Sequence, residues 1–322
     1  MPKMLYVHVG PRKTGTTATQ HALVDDGNSV VVYPNVGLWR DRSHHGLVYK
    51  FFGEEKLAEP ISDSLETLLA KLRDQTAQTE KNIVISSEVL EFRDVDVFIR
   101  GLLPYVNVEP ANVEILLTCR EHFARTASLY NHRLGAKKVA ERRRPDRFLQ
   151  EEAAAMCYEP LIRKLMTTEF KVTVLNYHPS ETWLSRYCAH VGFTEHEFPE
   201  NKKRMVSYSP KALIVILAIN EVVESRNDRH EYMKFFAKMP DSRGPSKFIF
   251  GSQASAVAEG HFSADRKFLS RKFGIELEPP DYNALENDLF IDASDFEDIE
   301  KIARPLGEKG GEITAHVRRY LR

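Results

Sequence analysis

An apolar run, Leu5-Tyr-Val-His-Val9, leads directly into Gly10-Pro-Arg-Lys-Thr-Gly-Thr-Thr17, and no other stretch constrains the fold as tightly. The run reads as a short buried strand. The glycine-containing segment after it ends in residues that can start a helix. Strand, tight turn and helix in that order turn several backbone N–H groups outward together, and with the helix dipole they cradle a phosphate. Residue order narrows this further. In a nucleotide triphosphatase loop the lysine follows the second glycine and precedes a Ser or Thr that holds magnesium. Here Lys13 stands two residues before Gly15. The loop suits a phosphate, but its order is not that of an ATPase.

The same punctuation recurs along the first 195 residues. Apolar segments at 5–9, 30–33, 83–87, 113–118 and 172–175 predict strands. Between them lie helical stripes, Leu65, Leu68, Leu69 and Leu72 in one and Phe123, Ala127, Tyr130 and Leu134 in another. Strands alternating with helices predict an α/β fold with a P-loop-like, mostly parallel central sheet flanked by helices. Beyond residue 195 the pattern is mainly helical. Ser209-Pro210 supplies an N-cap and a first-turn proline for a helix that is apolar almost all round. Residues 228–239 and 264–274 also read as helices, and 240–263, rich in Gly, Ser and Pro, as a loop. The expected organisation is a single domain over 1–322, with an α/β core at 1–195 and a mainly helical cap at 196–322.

Composition excludes some classes. Of 322 residues 42% are hydrophobic, enough for a sizeable core, and a net charge of −1 does not advertise nucleic acid or membrane binding. Cys119, Cys157 and Cys188 lack metal-ligand spacing and suggest a reducing compartment. No apolar run approaches the roughly 18 residues of a membrane span, and no signal peptide is visible. The expectation is a cytoplasmic protein without a membrane span.

In a parallel sheet, ligands bind at the carboxyl ends of strands. Lys13 follows the first strand, Glu88 follows Asn82-Ile-Val-Ile-Ser-Ser87, and Cys119 and Arg120 follow Val113-Glu-Ile-Leu-Leu-Thr118. Lys13-Thr-Gly-Thr-Thr17 resembles the 5′-phosphosulfate loop of sulfotransferases that use 3′-phosphoadenosine 5′-phosphosulfate (PAPS). Arg120, with Ser128 eight residues on, resembles their 3′-phosphate element. The similarity, greatest to bacterial carbohydrate-type members, extends through Tyr33-Pro34, Ser86-Ser87-Glu88 and Asn201 to Asn220.

The resemblance implies a PAPS-dependent sulfotransferase that releases 3′-phosphoadenosine 5′-phosphate (PAP) and needs no metal. Arg12, Lys13, Thr14, Gly15, Thr16 and Thr17 would surround the 5′-phosphate, with Lys13 beside the leaving oxygen. Arg120 and Ser128 would hold the 3′-phosphate. Glu88 is the first candidate for the base that takes the acceptor's proton; His44 or His45 is the alternative. His8, alternating within the first strand, reads as a packed histidine. The implied acceptor is a saccharide or glycolipid hydroxyl or amine. A P-loop kinase or NTPase, and an inactive nucleotide- or polyanion-binding protein, are the rival readings.

The basic run from Arg133 to Arg147 reads as a solvated loop, or alternatively as a contact surface for an acidic acceptor. Glu308-Lys-Gly-Gly311 reads as a turn between helices.

Overall fold

A computed structural model of the chain describes residues 2–177, 182–194, 207–244, 249–280 and 289–322. They gather into two compact units. The first takes its residues from 1–120, 158–202 and 268–277, and the second from 121–157, 203–267 and 278–322.

The first unit is built on a four-stranded, all-parallel sheet. Its strands are β1 (Leu5–His8), β2 (Ile83–Ser86), β3 (Val113–Cys119) and β4 (Lys171–Asn176), in the order β2-β1-β3-β4. β1, β2 and β3 are buried along their whole length, which explains why they read as unbroken apolar runs. Side chains alternate between the two faces. Leu5, Val7, Ile83, Ile85, Val113 and Ile115 pack with Leu68, Leu69 and Leu72 of the helix Leu65–Thr76 and with Phe98 and Leu102 of the helix Val95–Val106. Tyr6, Val84 and Leu116 turn the other way, onto Ala22 and Leu23 of α1 (Thr16–Asp25) and Leu184, Tyr187 and Cys188 of the helix Thr182–Val191. Helices thus cover both faces.

The 30–33 segment is a correction. Only Val32 joins the sheet, through an isolated parallel bridge to Ile83. Pro34 follows two residues later and has no N–H to carry a ladder onward.

The second unit is mainly helical. Ser209 caps the helix Pro210–Val222 by accepting from the Ala212 N–H, and Lys211 through Asn220 are buried, as the all-round apolar pattern requires. Asn220 donates to the carbonyls of Leu134 (3.1 Å) and Glu141 (2.9 Å). Asn201, at the other end of that similarity, lies outside the described residues. The helices Arg226–Phe236 and Ser252–Phe273 are longer or earlier than their patterns suggested. The second begins inside the supposed 240–263 loop. Ala254, Ala258 and Phe262, spaced by four, form a buried stripe that the Gly and Ser composition masks. Glu308 to Gly311 are also helical, near the start of Gly307–Val317, with Gly310 against the Ala303 backbone where a Cβ would not fit.

One charged side chain lies deep in the first unit. Glu114, in β3, is 3% exposed. Burial alone would raise its pKa. Hydrogen bonds from His190 (2.8 Å), Thr173 and Lys171 (3.2 Å) overcome that and hold it near 2. A carboxylate depressed in the folded state stabilises the fold above its unfolded pKa, near 4.5, and loses that contribution as pH falls toward 2. The contribution is on the order of 3 kcal/mol. Glu114→Gln should therefore be less stable than wild type in urea at pH 6, with the gap shrinking steadily between pH 5 and 2.5; a constant gap would contradict the assignment.

Candidate functional site

β1 pairs with β2 on one side and β3 on the other, so the chain reverses direction across the sheet at β1. Such a switch point opens a crevice at the strands' carboxyl ends. The three segments singled out by sequence leave the sheet there: the 10–17 loop after β1, Glu88 after β2 and Arg120 after β3.

Lys13 and Gly15 both have positive φ, 69° and 90°. A Cβ on Gly15 would come within 2.6 Å of the Tyr177 ring and 2.8 Å of Trp183, so both the conformation and the space demand glycine. Thr14 closes the loop internally, its hydroxyl donating to the Pro11 carbonyl at 2.6 Å. Gly15 is the N-cap of α1 and brings no side chain to the cap. Among the described residues no acceptor takes the backbone N–H groups of Lys13, Thr14, Gly15, Thr16 or Thr17. The first turn of α1 contains no acidic residue, so the helix end has no anion of its own. Thr17 is half-buried and Thr14 and Thr16 are buried.

Three cations meet at this loop. Burial lowers the pKa of Lys13; Glu88 opposes the shift, and Arg120 and Arg12 reinforce it. Arg120 is held from several directions. Its N–H donates to the Tyr158 hydroxyl (2.9 Å), which in turn donates to the Arg120 carbonyl (2.7 Å). Its guanidinium donates to the Lys13 carbonyl (3.3 Å) and lies 5.2 Å from the Tyr177 ring centre. Arg12 lies 4.9 Å over Phe92.

Glu88 opens a short 3-10 turn, Glu88–Phe92, straight after β2. Burial raises its carboxyl to about 7, and the Asp41 charge pushes the same way. Lys13, Thr16 and Arg12 temper the rise. Thr16 Oγ1 is buried and has no hydrogen-bond partner within normal geometry among the described residues.

The two neighbouring histidines differ in kind. His44 is fully buried; Nδ1 accepts from the Ser86 N–H (3.1 Å) and Nε2 donates to the Pro34 carbonyl (2.9 Å). Desolvation lowers its pKa to about 4. With both nitrogens bonded to backbone, it braces the 34–44 segment. His45 is half-buried at the start of α2 (His45–Phe51). Its Nδ1 pairs with the Ser87 hydroxyl at 2.8 Å and its Nε2 faces Asp41 at 3.8 Å. Burial lowers its pKa against the pull of Asp41. His8 is packed beneath the loop, bonded to Ser86 (3.0 Å) and Thr118 (3.3 Å), with its pKa lowered to about 3 by burial.

Ser128 lies in the second unit, half-buried on the helix His122–Gly135. That helix is capped by Glu121, whose carboxylate accepts from the Phe123 and Ala124 N–H groups, so its own end is already neutralised. In the basic run, Arg133, Arg143 and Arg147 are paired with Glu141, Glu151 and Glu152 at 2.6–2.9 Å. Lys137, Lys138 and Arg142 remain exposed. Part of the run is a helix, Pro145–Glu152, started by its proline, where a solvated loop was expected.

Sequence reasoning missed Asp41, Tyr158 and Tyr177. Tyr177 was within reach, because it directly follows β4 and the strand-end rule applied there as well. Tyr158 and Asp41 carry no local signal. Among the described residues no helix is long and apolar enough to cross a membrane, and no three His, Cys, Asp or Glu side chains gather as a metal site. No family model matches the chain, and neither a characterised protein nor a solved structure matches it.

A carboxyl raised in the folded state destabilises the fold once ionised, so stability falls as pH rises from about 4.5 through 7. Glu88→Gln should therefore be more stable than wild type at pH 8, by on the order of 1–3 kcal/mol, and equally stable near pH 4.5. Urea denaturation at the two pH values checks this.

Proposed function

We propose that the chain is a sulfotransferase that moves a sulfuryl group from PAPS to an acceptor hydroxyl or amine. One observation carries the reading: Lys13, Arg120 and a carboxyl near pKa 7 stand together beside a loop whose Lys13 to Thr17 N–H groups meet no acceptor among the described residues. Two cations in separate segments suit a ligand with two anionic groups. A base poised near neutral pH suits removal of a proton from a neutral nucleophile.

In this reading the fold works as a P-loop does, with a changed lysine order. The Lys13 to Thr17 N–H groups hold the 5′-phosphate. Arg120 holds the 3′-phosphate with paired donors. Ser128 enters through the sequence resemblance alone. The acceptor oxygen attacks sulfur while its proton passes to the Glu88 carboxylate. The bond from sulfur to the bridging oxygen breaks, and its electron pair stays on the 5′-phosphate of PAP. Lys13 meets the charge that grows on that oxygen, which favours the transition state over the bound donor. His45, beside Ser87, is the alternative base.

Lys13→Ala should retain the fold and PAP binding while losing about 10²–10³ in turnover. Glu88→Gln should lose about 10²–10⁴, and His45→Gln far less; the reverse ranking would hand the base to His45. Ligand binding to the native state raises its melting temperature. In a thermal-shift measurement PAP should stabilise the protein and ADP with magnesium should not. Stabilisation by ADP and magnesium alone would point to a kinase or NTPase. PAP binding with no turnover from PAPS, with wild-type behaviour after loss of Glu88 and His45, would point to a binding protein.

A further inference from the structure

We propose that the turn and helix start at residues 39–49, together with Phe92, form the acceptor subsite, and that it takes an uncharged, polyhydroxylated ring rather than a polyanion. This rests on the donor reading above and names the class of its second substrate.

The subsite is rigid before any ligand arrives. The Trp39 N–H donates to the Ser43 carbonyl (2.7 Å) and the Arg42 N–H donates back to the Trp39 carbonyl (2.9 Å). Asp41 Oδ1 accepts from the Ser43 N–H (3.1 Å) and hydroxyl (2.5 Å). That leaves Asp41 Oδ2 directed toward His45 Nε2, 3.8 Å away. His45 is tied to Ser87, the residue before Glu88, at 2.8 Å. The turn is thus anchored to the segment that carries the proposed base.

Its aromatic rings reach solvent. Trp39 and Tyr49 are half-buried and meet edge to face, with centres 5.8 Å apart; Tyr49 and His45 do the same at 6.2 Å. Phe92 is 54% exposed although large and apolar. Aromatic faces with a few fixed polar groups among them bind rings that have an apolar face and hydroxyl edges. Asp41, His45 and Glu88 supply acceptors for those hydroxyls.

The charges argue against an anionic acceptor. Asp41 is close enough to Glu88 to raise its pKa. The cations of the same segments are mostly committed: Arg93 to Glu54 at 2.6 Å, Lys50 to Glu55 at 2.5 Å, and Arg42 to Asp25. Arg12 lies over Phe92, and Arg40 is exposed. Lys13 and Arg120 serve the donor phosphates in this reading. A sulfated or carboxylated chain would bring like charge against Asp41 and Glu88.

The chain has two tryptophans, and Trp183 is 4% exposed, so ligand-induced fluorescence changes report chiefly on Trp39. Chitohexaose, maltohexaose and a heparin hexasaccharide are titrated into the PAP-loaded protein, with PAP affinity measured separately by calorimetry. The proposal expects at least one neutral oligosaccharide to shift the emission and to bind at least 10-fold more tightly than the heparin fragment. Phe92→Ser, at an exposed position, and Tyr49→Ala should each weaken that binding at least 5-fold with PAP affinity unchanged. Tighter binding of heparin, no response to either neutral sugar, or neutral-sugar binding indifferent to both variants overturns it. Neutral-sugar binding in a protein that does not take up PAP supports the subsite while rejecting the donor reading.

Discussion

Everything at the crevice depends on β1 pairing in parallel with β2 on one side and β3 on the other. Parallel strands all end on the same edge, and a strand whose neighbours lie to both sides leaves a gap where the connections part. The apolar residues of β1, facing alternately into two packed layers, fix its register. A slip of one residue would exchange Leu5 and Val7 with Tyr6 and His8 and carry Lys13 away from Glu88 and Arg120. The burial that makes the fold therefore also makes the site.

The site holds its charges at a cost. Lys13 has positive φ, and burial and two arginines oppose its charge. Glu88 is raised to about 7 by burial, though a lysine stands beside it. Strained backbone and desolvated charges concentrate where function needs them and are held by the surrounding structure. Tyr158 on Arg120, Tyr177 and Trp183 on Gly15, and Ser87 on His45 supply that support. An added anion would relieve the mutual repulsion of Arg12, Lys13 and Arg120, and a proton acceptor near neutrality would then lie beside it.

Much of this was legible in the sequence because it is local. Strand–loop–helix alternation, the Lys13 loop, Glu88 and Arg120 follow from apolar runs and the residues after them. The Ser209-Pro210 helix start follows from capping chemistry. Other features depend on tertiary partners. His44 and His45 are adjacent and equivalent as text, yet one is bonded on both nitrogens to backbone and the other faces Asp41 and Ser87. The arginines of 133–147 read as a charged run, but their carboxylate partners, Glu141 within the run and Glu151 and Glu152 at the end of the helix Pro145–Glu152, decide their role. The 252–273 helix was hidden because glycine and serine outweigh a spacing of four between Ala254, Ala258 and Phe262. Val30 to Tyr33 had a strand's composition without room for a ladder.

In the proposed function this crevice recognises one nucleotide through two phosphates. Calorimetric titration of wild type and Arg120→Ala with PAP and with adenosine 5′-phosphate tests it most directly. Hydrogen bonds to charged groups are worth about 1.5–3 kcal/mol. Wild type should thus bind PAP more tightly by on the order of 10- to 100-fold, and the arginine variant should lose most of that preference while keeping its affinity for adenosine 5′-phosphate. Equal binding of the two nucleotides by wild type, or an unchanged preference in the variant, would contradict the account.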